Sequence, residues 1–194
     1  MASIFLAQIP EEIKGTIYCK ARIKEIDSCK NEKVKRQKFY AWALLEKCAE
    51  SLGFTPHNLS FKKLENGKWV CSDFEFSISH SEDVVAVAID NKKIGVDIQI
   101  DTNINCEVFA KKILTNSEFS LFENLSKEQK HEFLLEKWTQ KESVYKMLEN
   151  KDLKISQINC NNYSIFTKKI NLGNTTYYLS CATNEKPIIE FVDI

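Results

Sequence analysis

The stretch FEFSISHSEDVVAVAIDNKKIGVDIQI, residues 74–100, decides how the rest of the chain is read. Its first part alternates strictly, with Phe74, Phe76, Ile78 and His80 on one face and Glu75, Ser77, Ser79 and Ser81 on the other, which predicts a strand with one wet face. "VVAVAI" is a continuous apolar run, "DNKK" turns the chain, and "IGVDIQI" returns it. Together they predict an antiparallel meander. In the last strand Ile94, Val96, Ile98 and Ile100 share one face and Gly95, Asp97 and Gln99 the other, with Asp97 and Gln99 about 6.5–7 Å apart. Two oxygen-bearing side chains thus point the same way, beside a glycine that leaves space.

Upstream, "SIFLAQI" predicts a strand and is followed by a polar segment. "KVKRQKFYAWALLEKCAESLGF" then predicts a long helix, because Phe39, Trp42, Ala43, Leu45 and Ala49 recur near helical spacing, with Gly53 as its stop and Pro56 as a barrier beyond. Asn66 and Gly67 in "LENGKW" predict a hairpin turn. Downstream, helical patterns run from Cys106 to about Glu149, and "YSIFTKKI", "TTYYLSCAT" and "PIIEFVDI" read as short strands. The order strand, helix, strands therefore occurs twice. This predicts an α+β fold with halves 1–92 and 93–194 in one continuous globular unit, with no clear repeat, linker or low-complexity tract between them.

With 194 residues the chain can bury a sizeable core. It has 43% hydrophobic and 28% charged residues, with five Gly and three Pro, which is the make-up of a globular protein and not of a disordered or fibrous one. The formal net charge is zero, so no global attraction to nucleic acid or to an anionic membrane is expected, and an anion would need local clusters. Seven cysteines without a CxxC pair suggest neither a zinc site nor a disulfide framework and fit a reducing cytoplasm. The N-terminus has no basic region before its short apolar run, and no stretch approaches the roughly 20 apolar residues of a membrane span. P-loop, GxGxxG, GxSxG and HExxH motifs are absent.

A second anomaly lies in "FLLEKWTQKESVYKML", where Leu134, Trp138, Tyr145 and Leu148 form an apolar helical stripe. Glu142 sits on that stripe and would be buried, which demands a cation or several donors. An inward Asp97 and an inward Glu142 could meet at a hard cation, or they could form internal ion pairs with Lys141 or Lys146; spacing leaves both open. His80 ends a strand between two serines, His57 and His131 read as surface residues, and Lys30, Lys33, Lys35, Arg36 and Lys38 form a basic run that could be a solvated face or hold phosphate.

The ordered blocks "FSISHS", "IGVDIQ" and "KWTQKES" resemble the signature of the surfactin-synthetase-type 4'-phosphopantetheinyl transferases, and Arg36, Phe61 and "NGKW" extend the resemblance upstream to cover roughly residues 30–150. The resemblance implies a pseudo-twofold pair of similar halves, each a small antiparallel sheet packed on a long helix, with coenzyme A bound between them. It implies transfer of the phosphopantetheine arm of coenzyme A to a serine of an acyl or peptidyl carrier protein, with release of 3',5'-ADP and help from magnesium. By resemblance Asp97 and Glu142 are metal ligands, Glu142 is also the base for the carrier serine, and Lys141 neutralises the pyrophosphate. Arg36, Lys68, Ser79, His80 and Lys146 match positions that hold the phosphates of coenzyme A.

Gln99 departs from the pattern, since many members carry a third acid there. Its amide oxygen is still a candidate metal ligand, direct or through water, with Asp101 a lesser source of the missing charge. Ile113, Leu114 and Phe119, beside Lys111 and Lys112, are the candidate carrier-docking surface, although packing of the helix onto its sheet would explain them equally. No nucleic-acid or membrane partner is expected, and a monomer is. The alternatives are a degenerate member that binds coenzyme A or a carrier protein without turnover, and an unrelated interaction module in which Asp97 and Glu142 belong to an internal ion network.

Overall fold

The computed structural model describes residues 2–65, 67–150 and 152–194. Asn66, half of the expected NG turn, lies outside them. In chain order the first elements are β1 (Ser3–Gln8), α1 (Lys20–Asp27), α2 (Glu32–Ser51), β2 (Phe61–Lys63), β3 (Trp69–Cys71), β4 (Glu75–Ser81) and β5 (Val84–Asp90). Then come β6 (Gly95–Ile100), α3 (Cys106–Ile113), α4 (Asn116–Glu123), α5 (Lys127–Leu148), β7 (Ile165–Leu172), β8 (Thr175–Ala182) and β9 (Ile188–Phe191). The class is α+β.

The chain divides into two compact units, Met1–Lys93 with Pro187–Ile194, and Ile94–Lys186. The expected halves put residues 187–194 with the second, but β9 pairs in parallel with β1 of the first, from Ser3 opposite Ile188 to Leu6 opposite Phe191.

In the first unit the sheet order is β4-β5-β1-β9, and β2 with β3 forms a separate ribbon. α2 starts where the Asn31 side chain accepts the Val34 N–H and gives way to Gly53, whose φ of +92° suits a residue without Cβ. It buries Phe39, Tyr40, Trp42, Leu44, Leu45 and Cys48 against the sheet's Phe5, Phe76, Val85 and Val87. α1, which the sequence pattern reads only as a polar segment, has no side-chain cap of its own at Cys19. Glu46 of α2 supplies one, accepting the Tyr18 and Cys19 N–H groups at 2.8 and 3.0 Å.

Two expectations for residues 74–100 are corrected. β6 does not complete a meander with β5, because both edges of β5 are already paired, with β4 and with β1. It pairs instead with β8 in the second unit. Nor is the serine face of β4 wet: Ser77, Ser79 and Ser81 are buried while His80 is exposed. A hydroxyl is small and needs few partners, so it tolerates burial far better than a charge does.

In the second unit the sheet order is β6-β8-β7, all antiparallel, and α5 packs on it. The expected stripe of α5 is only partly its core face, since Leu134, Leu135, Thr139, Lys141, Ser143 and Val144 are the buried residues. Ile113 and Leu114, proposed above as a docking surface, are core residues packed with Ala110, Phe122 and Leu134, and half-buried Phe119 packs against the same cluster.

Candidate active site

Gly95 sets the distance between β6 and α5. A Cβ there would lie 1.9 Å from the Ser143 carbonyl oxygen and 2.7 Å from the Met147 N. The space beside the glycine is thus filled by helix backbone, and Asp97, two residues along on the same face, is brought against the α5 turn that carries Glu142 and Lys146.

Asp97 is 6% exposed. Its Oδ1 accepts from the Lys146 ammonium at 2.7 Å, and the same ammonium donates to the Val96 carbonyl at 3.1 Å. Glu142 lies one helical turn before Lys146, so the two share a face. Its carboxyl is raised above the ordinary range, first by burial and then by the Asp97 charge, with Lys146 pulling the other way. Buried Asp97 and half-buried Glu142 and Lys146 therefore stand close together, and the Glu142 carboxyl responds to both neighbours.

Other second-unit residues surround this spot. Gln99 lies on the Asp97 face, half-buried and opposite Tyr178. Burial raises the Tyr178 hydroxyl, against the pull of nearby Lys169. Ser180, directly opposite Asp97, joins a chain of hydroxyls with Thr139 at 2.9 Å and Thr167 at 3.1 Å. Asp101, the lesser candidate for the missing charge, is held by His131 at 2.7 Å.

Lys141, expected from the resemblance to neutralise the pyrophosphate, is enclosed by protein groups in this structure. Its side chain is fully buried, and its ammonium is bonded to Glu118 Oε2 and to the Ile158 carbonyl, each at 2.7 Å. Adjacent helical residues point about 100° apart, so Lys141 and Glu142 serve different surroundings. Glu118 was not singled out from sequence, although the spacing TNSE at 115–118 is a capping-box signal.

The remaining candidates lie in the first unit. Arg36 donates to the Glu11 carbonyl at 2.7 Å and approaches Asp83 at 3.8 Å, in the turn that follows β4. Gln37 donates to the Glu82 carbonyl in the same turn, where Glu82 has a φ of 49°. Arg36 also lines an open cleft of about 800 Å³ with Ile17, Ile23, Ile26 and Phe39. Ser79 and His80 are neighbours on β4, one buried and one exposed, and Lys68 is half-buried beside the short ribbon.

Residues 93–184 match the family model of the 4'-phosphopantetheinyl transferase superfamily. This part of the chain is similar to that superfamily, as its ordered blocks led one to expect. The "4'-phosphopantetheinyl transferase gsp" of Aneurinibacillus migulanus is 32% identical over 98 residues, covering 50% of this chain and 41% of that protein. The "4'-phosphopantetheinyl transferase" of Bacillus subtilis is 31% identical over 101 residues, covering 50% of this chain and 45% of its own length. The matched stretch thus spans less than half of either relative.

The superfamily match covers Asp97, Gln99, Glu142 and Lys146. Among the described residues no group of three or more His, Cys, Asp or Glu side chains could hold a metal ion. Two carboxylates and an amide nonetheless suit magnesium, which takes one or two protein carboxylates and fills its shell with water and phosphate oxygens. The Glu142 carboxyl, raised partly by Asp97, marks a repulsion that a divalent cation would relieve. Among the described residues no helix is long and apolar enough to cross a membrane.

Proposed function

We propose that the protein transfers the 4'-phosphopantetheine arm of coenzyme A to a serine of an acyl or peptidyl carrier protein, in a magnesium-dependent reaction that releases 3',5'-ADP. The observation that carries this reading is the meeting of buried Asp97 with half-buried Glu142 and Lys146 inside the superfamily match. The same proposal makes the protein a cytoplasmic monomer of two pseudo-symmetric halves, with Arg36, Lys68, Ser79 and His80 of the first unit holding coenzyme A.

In the reaction the carrier serine oxygen bonds to the pantetheine-side phosphorus while the bond from that phosphorus to the bridging oxygen breaks. The electron pair leaves with 3',5'-ADP, and the serine proton passes to Glu142, directly or through a water. Burial raises the basicity of the Glu142 carboxylate, and a divalent cation held beside it would oppose that rise. Asp97 and Glu142 would hold the magnesium, with Gln99 directly or through water; the ion would neutralise charge on the pyrophosphate. Lys146, whose ammonium bonds Asp97 at 2.7 Å, would bind a phosphate oxygen. Lys141 enters as a support of the site, for the reason given by its burial.

The test is the intact mass of an apo carrier protein incubated with the protein, coenzyme A and magnesium. A gain of roughly 340 Da, the added phosphopantetheine, that is lost with Glu142→Gln is the expected result. Measurable coenzyme A binding without any gain on several carriers would instead favour a binding protein without turnover.

A further inference from the structure

We propose that Glu118 and Lys141 form a buried positioning pair that fixes the rotational setting of α5 and so aims Glu142 at Asp97; this deepens, and rests on, the transferase reading. Three segments converge on the Lys141 ammonium: α5 through its side chain, α4 through Glu118, and the turn at Ile158 through its carbonyl. Glu118 is itself pinned. Its Oε2 accepts the Thr115 N–H at 2.9 Å, and the Thr115 hydroxyl accepts the Glu118 N–H at 3.3 Å.

This arrangement resists rotation of α5 more sharply than apolar packing would. A slipped leucine finds other carbon atoms to touch, whereas a buried ammonium moved off its two oxygens is left unpaired in an apolar interior. On the sheet side, the contact of Gly95 with the Ser143 and Met147 backbone fixes the spacing of helix and strand. Spacing is thus set at Gly95 and rotation at Lys141, and Glu142 and Lys146 lie on α5 beside both restraints. Stability alone does not call for an ion pair here, because apolar residues of similar volume commonly replace one without loss.

The experiment compares Lys141→Met, Glu118→Gln, the double variant and Lys141→Arg by transfer kinetics, coenzyme A affinity and Mn2+ titration. The expected result is that each single variant lowers kcat at least tenfold and weakens Mn2+ binding by a similar factor, while coenzyme A affinity stays within twofold. The double variant should be no worse than either single one, and Lys141→Arg should recover part of the rate. A tenfold loss of coenzyme A affinity in Lys141→Met, with Glu118→Gln silent, would overturn the proposal in favour of direct phosphate contact. Lower melting temperatures with unchanged kcat and Mn2+ affinity would overturn it in favour of a purely stabilising pair. If Lys141→Met does not fold, Glu118→Gln decides, since it keeps the shape and leaves the ammonium an amide oxygen and a carbonyl. If the unaltered protein transfers nothing, the transferase reading fails, and the Mn2+ titration of the same variants still decides the positioning pair.

Discussion

At the scale of single residues, Glu142 is held in a place that does not suit its charge. Burial and the neighbouring Asp97 both favour its protonated form. A carboxyl raised in the folded state gives full stability below its unfolded value of about 4.5 and loses it as pH rises through the raised value. At neutral pH without divalent ions, Glu142→Gln should therefore be the more stable protein, by about 2–4 °C for each kcal/mol relieved in a chain of this size. The difference should close as pH falls below about 4.5, and added magnesium should raise the melting temperature of the unaltered protein but not of the variant. Melts across pH, with and without magnesium, check all three statements, and a less stable variant at pH 7 would contradict the first.

Gln99 belongs to the same scale. It shares the Asp97 face at a half-buried position. A carboxylate there would bring a third charge to a shell that has two, so Gln99→Glu should lower the magnesium concentration needed for half-maximal transfer. An unchanged or higher requirement would show that position 99 does not face the ion.

At the scale of elements, the site is a strand and a helix held closer than any side chain at position 95 allows. Gly95→Ala would drive a methyl group into the Ser143 carbonyl, and backbone cannot move aside as a flexible side chain can. Overpacking of this kind costs about 1–3 kcal/mol or more. Transfer should fall further than stability, because α5 must lift away from Asp97; rates and melts on one preparation give the comparison. This close approach also explains what the sequence revealed. Asp97 and Glu142 stood out because charge sat on apolar patterns, and the long helices showed through their periodicity. The glycine's purpose was hidden, since only the packed helix shows that its space is filled. The fate of Lys141 was hidden for a similar reason: its partner Glu118 lies 23 residues upstream on another helix. α1 was illegible because its cap comes from Glu46, and the burial of the β4 serines could not be read from alternation.

At the scale of the whole molecule, the chain builds most of the first unit, then the second, and returns to finish the first with β9. The local pattern of "PIIEFVDI" fixes a strand but not its neighbour, which is why a boundary drawn by chain order put it in the wrong half. The returning segment ties down more than one edge: Val192 donates to the Leu6 carbonyl at 2.8 Å, and Val192 and Ile194 pack on the first unit's core. Removing residues 187–194 exposes those contacts and leaves one edge of β1 unpaired, a loss of about 2–4 kcal/mol if half-buried Val192 and Ile194 each contribute a part of the roughly 1.5–3 kcal/mol that full burial gives. Hydrogen exchange should then show faster exchange in β1 and β5 while β6 and β8 keep their protection, because the second unit's sheet receives nothing from β9. Equal loss of protection in both sheets would mean that the two units unfold as one, and the division seen in the contacts would not be a division in stability.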